Sequence, residues 1–265
     1  QNQKNGETGL HGGILNPEYY DTYVQYLTKT MQALEAINIS TFRLSLQNEP
    51  LYEPSNYPGT HIPAELEASL GDKVRQAFDA NNLTHVGLIA WDHNWDNPSY
   101  PVEVFDQSTS FAGSAFHCYS GSPSAQYNFT REYPEAELHF TECTRVTQNF
   151  NELWPNLKTQ GQQLLTGTIA YGAQSVLLWN AVLERDVDVF TTPTLPNVCT
   201  NCLAPVLVSD AETGEYEIPS DFATLAMGSL ATRLRMGEEK SFNMGTTAAA
   251  GQLLAQGRSQ QPSSA

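Results

Sequence analysis

The sequence predicts an α/β fold of the (β/α)8 TIM-barrel type, and three observations carry that expectation. Five short apolar runs alternate with longer stretches of helical periodicity, the pattern of a parallel sheet whose crossovers are helices. Each run breaks off on polar or aromatic side chains at its carboxyl end, where barrel enzymes assemble their sites from several strands. No Gly-x-Gly-x-x-Gly follows any run, which counts against a doubly wound nucleotide-binding sheet.

In chain order, Asn16-Pro17-Glu18 supplies a cap, a first-turn proline and a first-turn acid, and Tyr20, Val24, Leu27, Met31 and Leu34 follow at helical spacing. This predicts an amphipathic helix ending near Asn38. Thr41 to Leu46 alternates as a strand does, and Pro50 cannot continue it. Asn48 and Glu49 therefore stand at a carboxyl end. After an aromatic, turn-rich loop, Leu66, Leu70, Val74, Ala77 and Phe78 predict a helix from Pro63 to Asn81. The strand from His85 to Ala90 ends on Trp91, Asp92, His93 and Asn94. A short helix around Val102 to Gln107 leads to a strand from Ser114 that ends on His117, Cys118 and Tyr119. Helix is expected again from Ser124 to Tyr133, then a strand from Leu138 to Cys143 that ends on Glu142. A helix from Trp154 to Gly172 precedes the last run, Ser175 to Asn180, which closes on Trp179 and Asn180. Pro205 to Ser209 with Tyr216 to Ile218 reads as a hairpin, and Ser220-Asp221 caps a helix through Leu234. The barrel region is taken as residues 1–240, and 241–265 as a low-complexity, disordered tail rich in Ala, Gly, Gln and Ser.

A chain of 265 residues, 40% hydrophobic, can bury a large core. Its formal charge of −16 repels phosphate backbones and anionic membranes, so nucleic acid is not an expected partner. No apolar run is long enough to span a bilayer. The first residues carry no signal peptide, so any leader lies outside this chain. Sequons at Asn38, Asn82 and Asn128 point to a secreted glycoprotein. Cys199 and Cys202 lie in a Pro/Thr-rich loop with no further zinc ligands nearby, and a local disulfide is the preferred reading. Cys118 and Cys143 are read as buried small hydrophobes.

Taken together, Leu46-Gln47-Asn48-Glu49-Pro50, Asp92-His93-Asn94, His117-Cys118-Tyr119, Phe140-Thr141-Glu142-Cys143 and Leu178-Trp179-Asn180 make the chain resemble glycoside hydrolase family 30. The likeness runs from about Gly12 to about Leu234. It implies that Glu49, in the Asn-Glu-Pro motif after the fourth barrel strand, is the acid/base. It also implies that Glu142, after the seventh, is the nucleophile. Asp92-His93-Asn94 and the Cys199/Cys202 pair look most like the fungal β-1,6-glycanase branches, so a β-1,6-glucan or β-1,6-galactan is the implied substrate. A lipid-linked β-glucoside, as for a glucosylceramidase, is the runner-up, and a non-catalytic truncated relative is the rival from another class. Only one helix precedes Glu49. The resemblance therefore implies strands four to eight of the barrel, without strands one to three and without most of the family's β-sandwich. Such an incomplete chain is expected to hydrolyse little by itself.

A retaining glycosidase needs two carboxyl groups roughly 5–5.5 Å apart, with Glu142 ionised and Glu49 protonated at rest. Asn48 is a candidate donor to the sugar 2-hydroxyl. Trp91 and Trp179 offer faces for a pyranose, though Trp91 fits a core position equally well. His117 and Tyr119 alternate along one strand and point to the same side; a core histidine remains open for His117. Asp92 and His93 either bind substrate or bond to each other. Asn180 closes the set. Two carboxylates and water complete the chemistry, so no cofactor or metal is expected, the partner is a carbohydrate, and the complete protein is expected to be a monomer.

Overall fold

The computed structural model describes residues 4–5, 13–54, 58–146, 153–184, 199, 202–210 and 212–235. The proposed tail, 241–265, lies outside them. Five strands, β1 (Arg43–Ser45), β2 (Gly87–Asn94), β3 (Phe111–His117), β4 (Glu137–Glu142) and β5 (Ser175–Val176), form one sheet in chain order. Every neighbouring pair is parallel. Helices fill the crossovers: α2 (Ala64–Ala80), α3 (Ser99–Gln107), α4 (Gln126–Glu132) and α5 (Leu153–Gln160), the last running through a π-helical turn, Gly161–Gly167, into α6 (Thr168–Ala170). The sheet is open, a five-stranded half-barrel: the alternation of apolar runs and helices led us to expect its parallel order, and the resemblance implied its missing strands.

Helix α1 (Tyr20–Ala36) is entered through a short 3-10 turn over Pro17–Tyr19, where the Asn16 side chain accepts from the Glu18 amide. Val24, Leu27 and Met31 form its buried stripe. Both α1 and α2 close in the same way. Asn38 and Asn82 adopt positive φ, 61° and 60°, and the following amides, Ile39 and Leu83, reach back to the Leu34 and Phe78 carbonyls. Asparagine tolerates this left-handed cap better than most residues. These two helix ends face away from the carboxyl rim of the sheet. Asn38, Asn82 and Asn128, the three sequon positions, are all exposed.

The main core lies between sheet and helices, with Leu70, Val74 and Phe78 of α2 packed in the same cluster as Leu88, Phe116 and Phe140 of the strands. Trp95 stacks on Phe140 at 5.4 Å and satisfies its indole N–H on Gln126 of α4.

Three elements depart from expectation. Strand β2 does not stop at Ala90 but runs on to Asn94, because a bulge at Trp91–Asp92 lets the ladder resume with His93 opposite Phe116 and Asn94 opposite His117. Strand β5 is two residues long rather than six. It is an edge, and beyond Val176 only isolated bonds hold it, from the Leu177 amide to Phe140 and the Trp179 amide to Cys143. The expected hairpin forms from β7 (Val206–Asp210) and β8 (Glu215–Glu217), but β7 also pairs in parallel with β6 (Val182–Glu184), giving a small separate sheet. No second sheet packs on this one to make a sandwich among the described residues. Helix α7 (Ser220–Arg235) follows it.

Candidate active site

The carboxyl rim of the half-barrel gathers the acidic residues. Glu49 lies just past β1 in a loop fastened on several sides: the Tyr23 hydroxyl donates to the Leu46 carbonyl, the Glu49 amide donates to the Asp92 carbonyl at 3.0 Å, and the Tyr52 amide donates to the Glu49 carbonyl at 2.8 Å. These contacts hold Glu49 at φ 47°, a left-handed conformation that costs a non-glycine residue about 1–3 kcal/mol and persists only where its surroundings impose it. Trp91 and Asp92, in the β2 bulge, also take positive φ, 76° and 51°. Among the described residues, three of the five positive-φ residues other than glycine thus sit at this rim, where stored strain marks a site rather than a scaffold.

His117, the last residue of β3, bridges two carboxylates. Its Nδ1 lies 3.0 Å from Glu49 Oε1 and its Nε2 lies 3.1 Å from Asp92 Oδ1. Asp92 is buried, and it also accepts from Ser45 Oγ and Thr141 Oγ1, each at 2.5 Å. Both oxygens of Asp92 are therefore hydrogen-bonded within the protein. Glu142, the last residue of β4, accepts the Tyr119 hydroxyl at 3.0 Å. One oxygen of Glu49, one ring nitrogen of His117 and one oxygen of Glu142 lie within 4.8 Å of one another. Those atoms are close enough to chelate a cation, but both nitrogens of His117 already hold carboxylates, so an ion would have to displace Glu49.

The electrostatics follow from this wiring. Burial lowers the His117 pKa, but hydrogen bonds to Asp92 and Glu49 and the charge of the surrounding carboxylates overcome it, lifting the group to about 9. His117 is an imidazolium that donates from both nitrogens. Burial raises Glu49, yet the hydrogen bonds and charge of His117 and His93 bring it down to about 2. Asp92 is lowered as well: burial opposes the shift, and the His117 bond outweighs it. Glu142 goes the other way, pushed up chiefly by burial, with Glu49 and Asp92 adding to the rise and His117 and Tyr119 opposing it. The sequence led us to expect Glu49 protonated and Glu142 ionised at rest; the shifts run the other way, Glu49 lowered and Glu142 raised, because His117 sits against Glu49.

The remaining sequence candidates divide. Tyr119 and Trp179 are exposed on the rim, and so is Asn48. Asn180 is half-buried, and its Nδ2 is a buried atom without a hydrogen-bond partner. His93 is buried with its Nδ1 3.5 Å from Glu49 Oε1, and it packs on Trp91, not on Asp92. Of the two readings open for it, sugar platform and core, Trp91 takes the core one. It is 1% exposed, lies between His93 and Tyr100, and spends its indole N–H on the Asn94 carbonyl; the bulge turns the ring inward.

Sequence reasoning missed Ser45 and Thr141, the two hydroxyls on Asp92, and misread two cysteines. Cys118 and Cys143 are not free hydrophobes but a disulfide, with Cα atoms 5.4 Å apart. The signal was available: His117 pairs with Glu142 in the parallel ladder, so the residues that follow each are neighbours. The bond therefore clamps the strand ends that carry His117 and Glu142. Cys199 and Cys202 form a second, local bond.

Comparison with known proteins agrees with this geometry. The chain is 28% identical over 221 residues to an endo-1,6-β-D-glucanase of Neurospora crassa, covering 80% of this chain and 43% of that protein. It is 31% identical over 170 residues to an endo-1,6-β-D-glucanase of Trichoderma harzianum, covering 61% and 32%. A solved endo-β-1,6-glucanase superposes with a TM-score of 0.74 at 27% identity, over 82% of this chain and 49% of that one. The chain is a homologue of endo-β-1,6-glucanases along most of its length. The catalytic domain of a family 30 xylanase from Talaromyces cellulolyticus shares the fold, with a TM-score of 0.60 at 16% identity over 85% of this chain and 51% of that one. No protein-family model matches the chain. This homologue spans about half the length of the solved glucanase, and less than half of the curated relatives it matches.

Proposed function

We propose that the carboxyl rim of the half-barrel is the cleft of a retaining β-glycoside hydrolase and that its substrate is a β-1,6-linked glucan. The approach of Glu49 and Glu142 to within 4.8 Å carries this reading, because retaining enzymes hold their two carboxyl groups about 5–5.5 Å apart while inverting ones need about 6.5–9.5 Å. The substrate class rests on the relatives named as endo-1,6-β-glucanases.

In this reading Glu142 attacks the anomeric carbon and Glu49 protonates the departing oxygen. Glu49 is ionised at rest, so the proton is held by the Glu49–His117 pair as a whole. It passes from His117 Nδ1 to Glu49 Oε1 along their 3.0 Å hydrogen bond and then to the glycosidic oxygen. Water next attacks the glycosyl ester, Glu49 takes its proton, and the proton returns to His117. Two displacements at one carbon restore its configuration. Tyr119 holds the nucleophile through its hydroxyl and Asn48 meets the sugar 2-hydroxyl. Trp179, 48% exposed, supplies the flat face on which the ring rests.

All four cysteines are paired, which fits an oxidising, extracellular address. Glycans on Asn38 and Asn82 would sit on the rim opposite the cleft and leave it open. No described helix is long and apolar enough to cross a membrane, and the reading needs only a carbohydrate partner and a monomeric protein.

Trapping tests the assignment. Incubation of a full-length form containing Glu49 and Glu142 with an activated 2-deoxy-2-fluoro-β-glucoside should add one sugar mass to the peptide that carries Glu142. Labelling of another carboxylate, or initial release of the α-anomer from linear β-1,6-glucan, would overturn it.

A further inference from the structure

Glu67 is a carboxyl group with no place in the scheme above and no access to water. Helix α2 turns Ala64, Ala68, Leu70, Gly71, Val74 and Phe78 inward, and Glu67 shares that buried stripe at 0% exposure while Leu66 is left only half-covered. A charge so placed costs several kcal/mol unless it is paired. No cation faces it. Oε2 accepts the Trp91 amide at 3.3 Å, and Oε1 has no hydrogen-bond partner. The titratable groups around it are Tyr23 on α1, Tyr100 on α3 and Asp92 on β2. Both phenol hydroxyls already donate elsewhere, to the Leu46 and Ile62 carbonyls.

The peptide that Glu67 holds is the one that bends β2. Trp91 and Asp92 are consecutive residues at positive φ, at the point where the register with β3 shifts. That bulge sends the Asp92 carbonyl to the Glu49 amide and the Asp92 carboxylate to His117. We propose that Glu67 is a positioning residue that works in its neutral form, fixing the Trp91–Asp92 bulge and, through it, Asp92, His117 and Glu49. A neutral carboxyl suits the place: its carbonyl oxygen takes the Trp91 N–H, and no like charge is set against Asp92. The protonation follows from surroundings, since burial foremost, with the Asp92 charge adding to it and hydrogen bonding from the Trp91 amide and the Tyr100 hydroxyl opposing it, lifts Glu67 to about 8.

The proposal concerns the geometry of the cleft and leans on the hydrolase reading only for its effect on turnover, so the test reads protonation and folding, and either idea can fail alone. Glutamine reproduces a neutral carboxyl and leucine removes the acceptor. A raised carboxyl pKa contributes stability that is complete below the unfolded value of 4.5 and lost as pH rises through about 8. The unfolding midpoint of the 265-residue chain should therefore fall between pH 5 and pH 8 by more than that of Glu67→Gln. The His117 ring resonances should titrate near 9 in the parent and in Glu67→Gln, and should move toward the unperturbed value of about 6.5 in Glu67→Leu. Parallel pH–stability curves for parent and Glu67→Gln overturn the proposal, as does a folded Glu67→Leu in which His117 titrates as before. If Glu67→Leu does not fold, the Glu67→Gln comparison decides alone.

Discussion

Opening the Cys118–Cys143 bond gives a quantitative test of how the site is held. The bridge joins residues 25 apart, and loop-closure entropy assigns such a cross-link about 3.5 kcal/mol at 25 °C. The Cys199–Cys202 bond spans a separation of 3, for which the same relation gives only about 1.6 kcal/mol. The paired variant Cys118→Ala/Cys143→Ala should accordingly be destabilised about twice as much as Cys199→Ala/Cys202→Ala. With a urea dependence of about 2 kcal/mol/M, the first pair should lose roughly 1.5–2 M in its midpoint and the second under about 1 M. Urea unfolding followed by circular dichroism, under non-reducing conditions, reads both. The first variant should also lose the close contact between the β3 and β4 ends, so the Tyr119–Glu142 hydrogen bond loosens and activity falls along with stability. Equal midpoint losses for the two pairs, or two free thiols at 118 and 143 by mass spectrometry of the parent, would refute the reasoning.

The proposed chemistry makes further claims. Glu142→Gln should abolish turnover while leaving the unfolding midpoint within about 0.5 kcal/mol of the parent, since an amide keeps the shape but cannot attack carbon; wild-type turnover would reject the nucleophile. Glu49→Ala should spare substrates with good leaving groups and recover activity in azide, which fills the vacated space and attacks the glycosyl-enzyme. The pH profile of kcat/KM should be a bell. Its acid limb lies above the ordinary glutamate value, because Glu142 is raised and must be ionised to attack; its alkaline limb lies near 9, where His117 loses the proton it shares with Glu49. Asp92→Asn removes the first of the contacts that raise His117 and one of the charges that raise Glu142, so it should draw the alkaline limb toward neutrality and the acid limb down toward the ordinary glutamate value. An unmoved alkaline limb in that variant would detach His117 from proton delivery.

The sheet and its helices were legible because periodicity is a local property of the chain. Val24, Leu27 and Met31 announce a helix whatever lies beside it, and a run such as Leu138 to Phe140 announces a strand. The strand-end residues Glu49, His117 and Glu142 were legible for the same reason, since the direction of a parallel strand fixes which end its last polar residues occupy. What escaped depends on neighbours distant in sequence. The β2 bulge is a choice of backbone imposed by Glu67 from one side and by the Glu49 loop from the other, and nothing within Trp91-Asp92-His93 states it. For this reason the sequence leaves Trp91 open between cleft and core, and only the folded chain shows its ring in the core. The burial of Glu67 was hidden by Leu66, which the helical pattern placed inward in its stead. Ser45 and Thr141 are ordinary strand residues until Asp92 is turned between them.

The same dependence explains why one imidazolium stands among three carboxylates. Glu49 and Asp92 each place an oxygen close to a nitrogen of His117, at 3.0 and 3.1 Å, so two negative charges share one positive charge. Glu142 has only a phenol hydroxyl for a partner. The cluster is thus negative overall, and Glu142 is the carboxylate left least compensated; burial raises its pKa first, and the charges of Glu49 and Asp92 add to the rise. An oxocarbenium-like transition state brings positive charge to the point where that excess lies, and fixed groups already oriented toward a developing charge need no reorganisation to stabilise it. A second cation placed against Glu142 would lower its pKa and cancel the excess together. A charged Glu67 would deepen it from behind Asp92, where no substrate reaches. Keeping Glu67 neutral and His117 on the Glu49 side confines the uncompensated charge to the one carboxylate that faces the sugar.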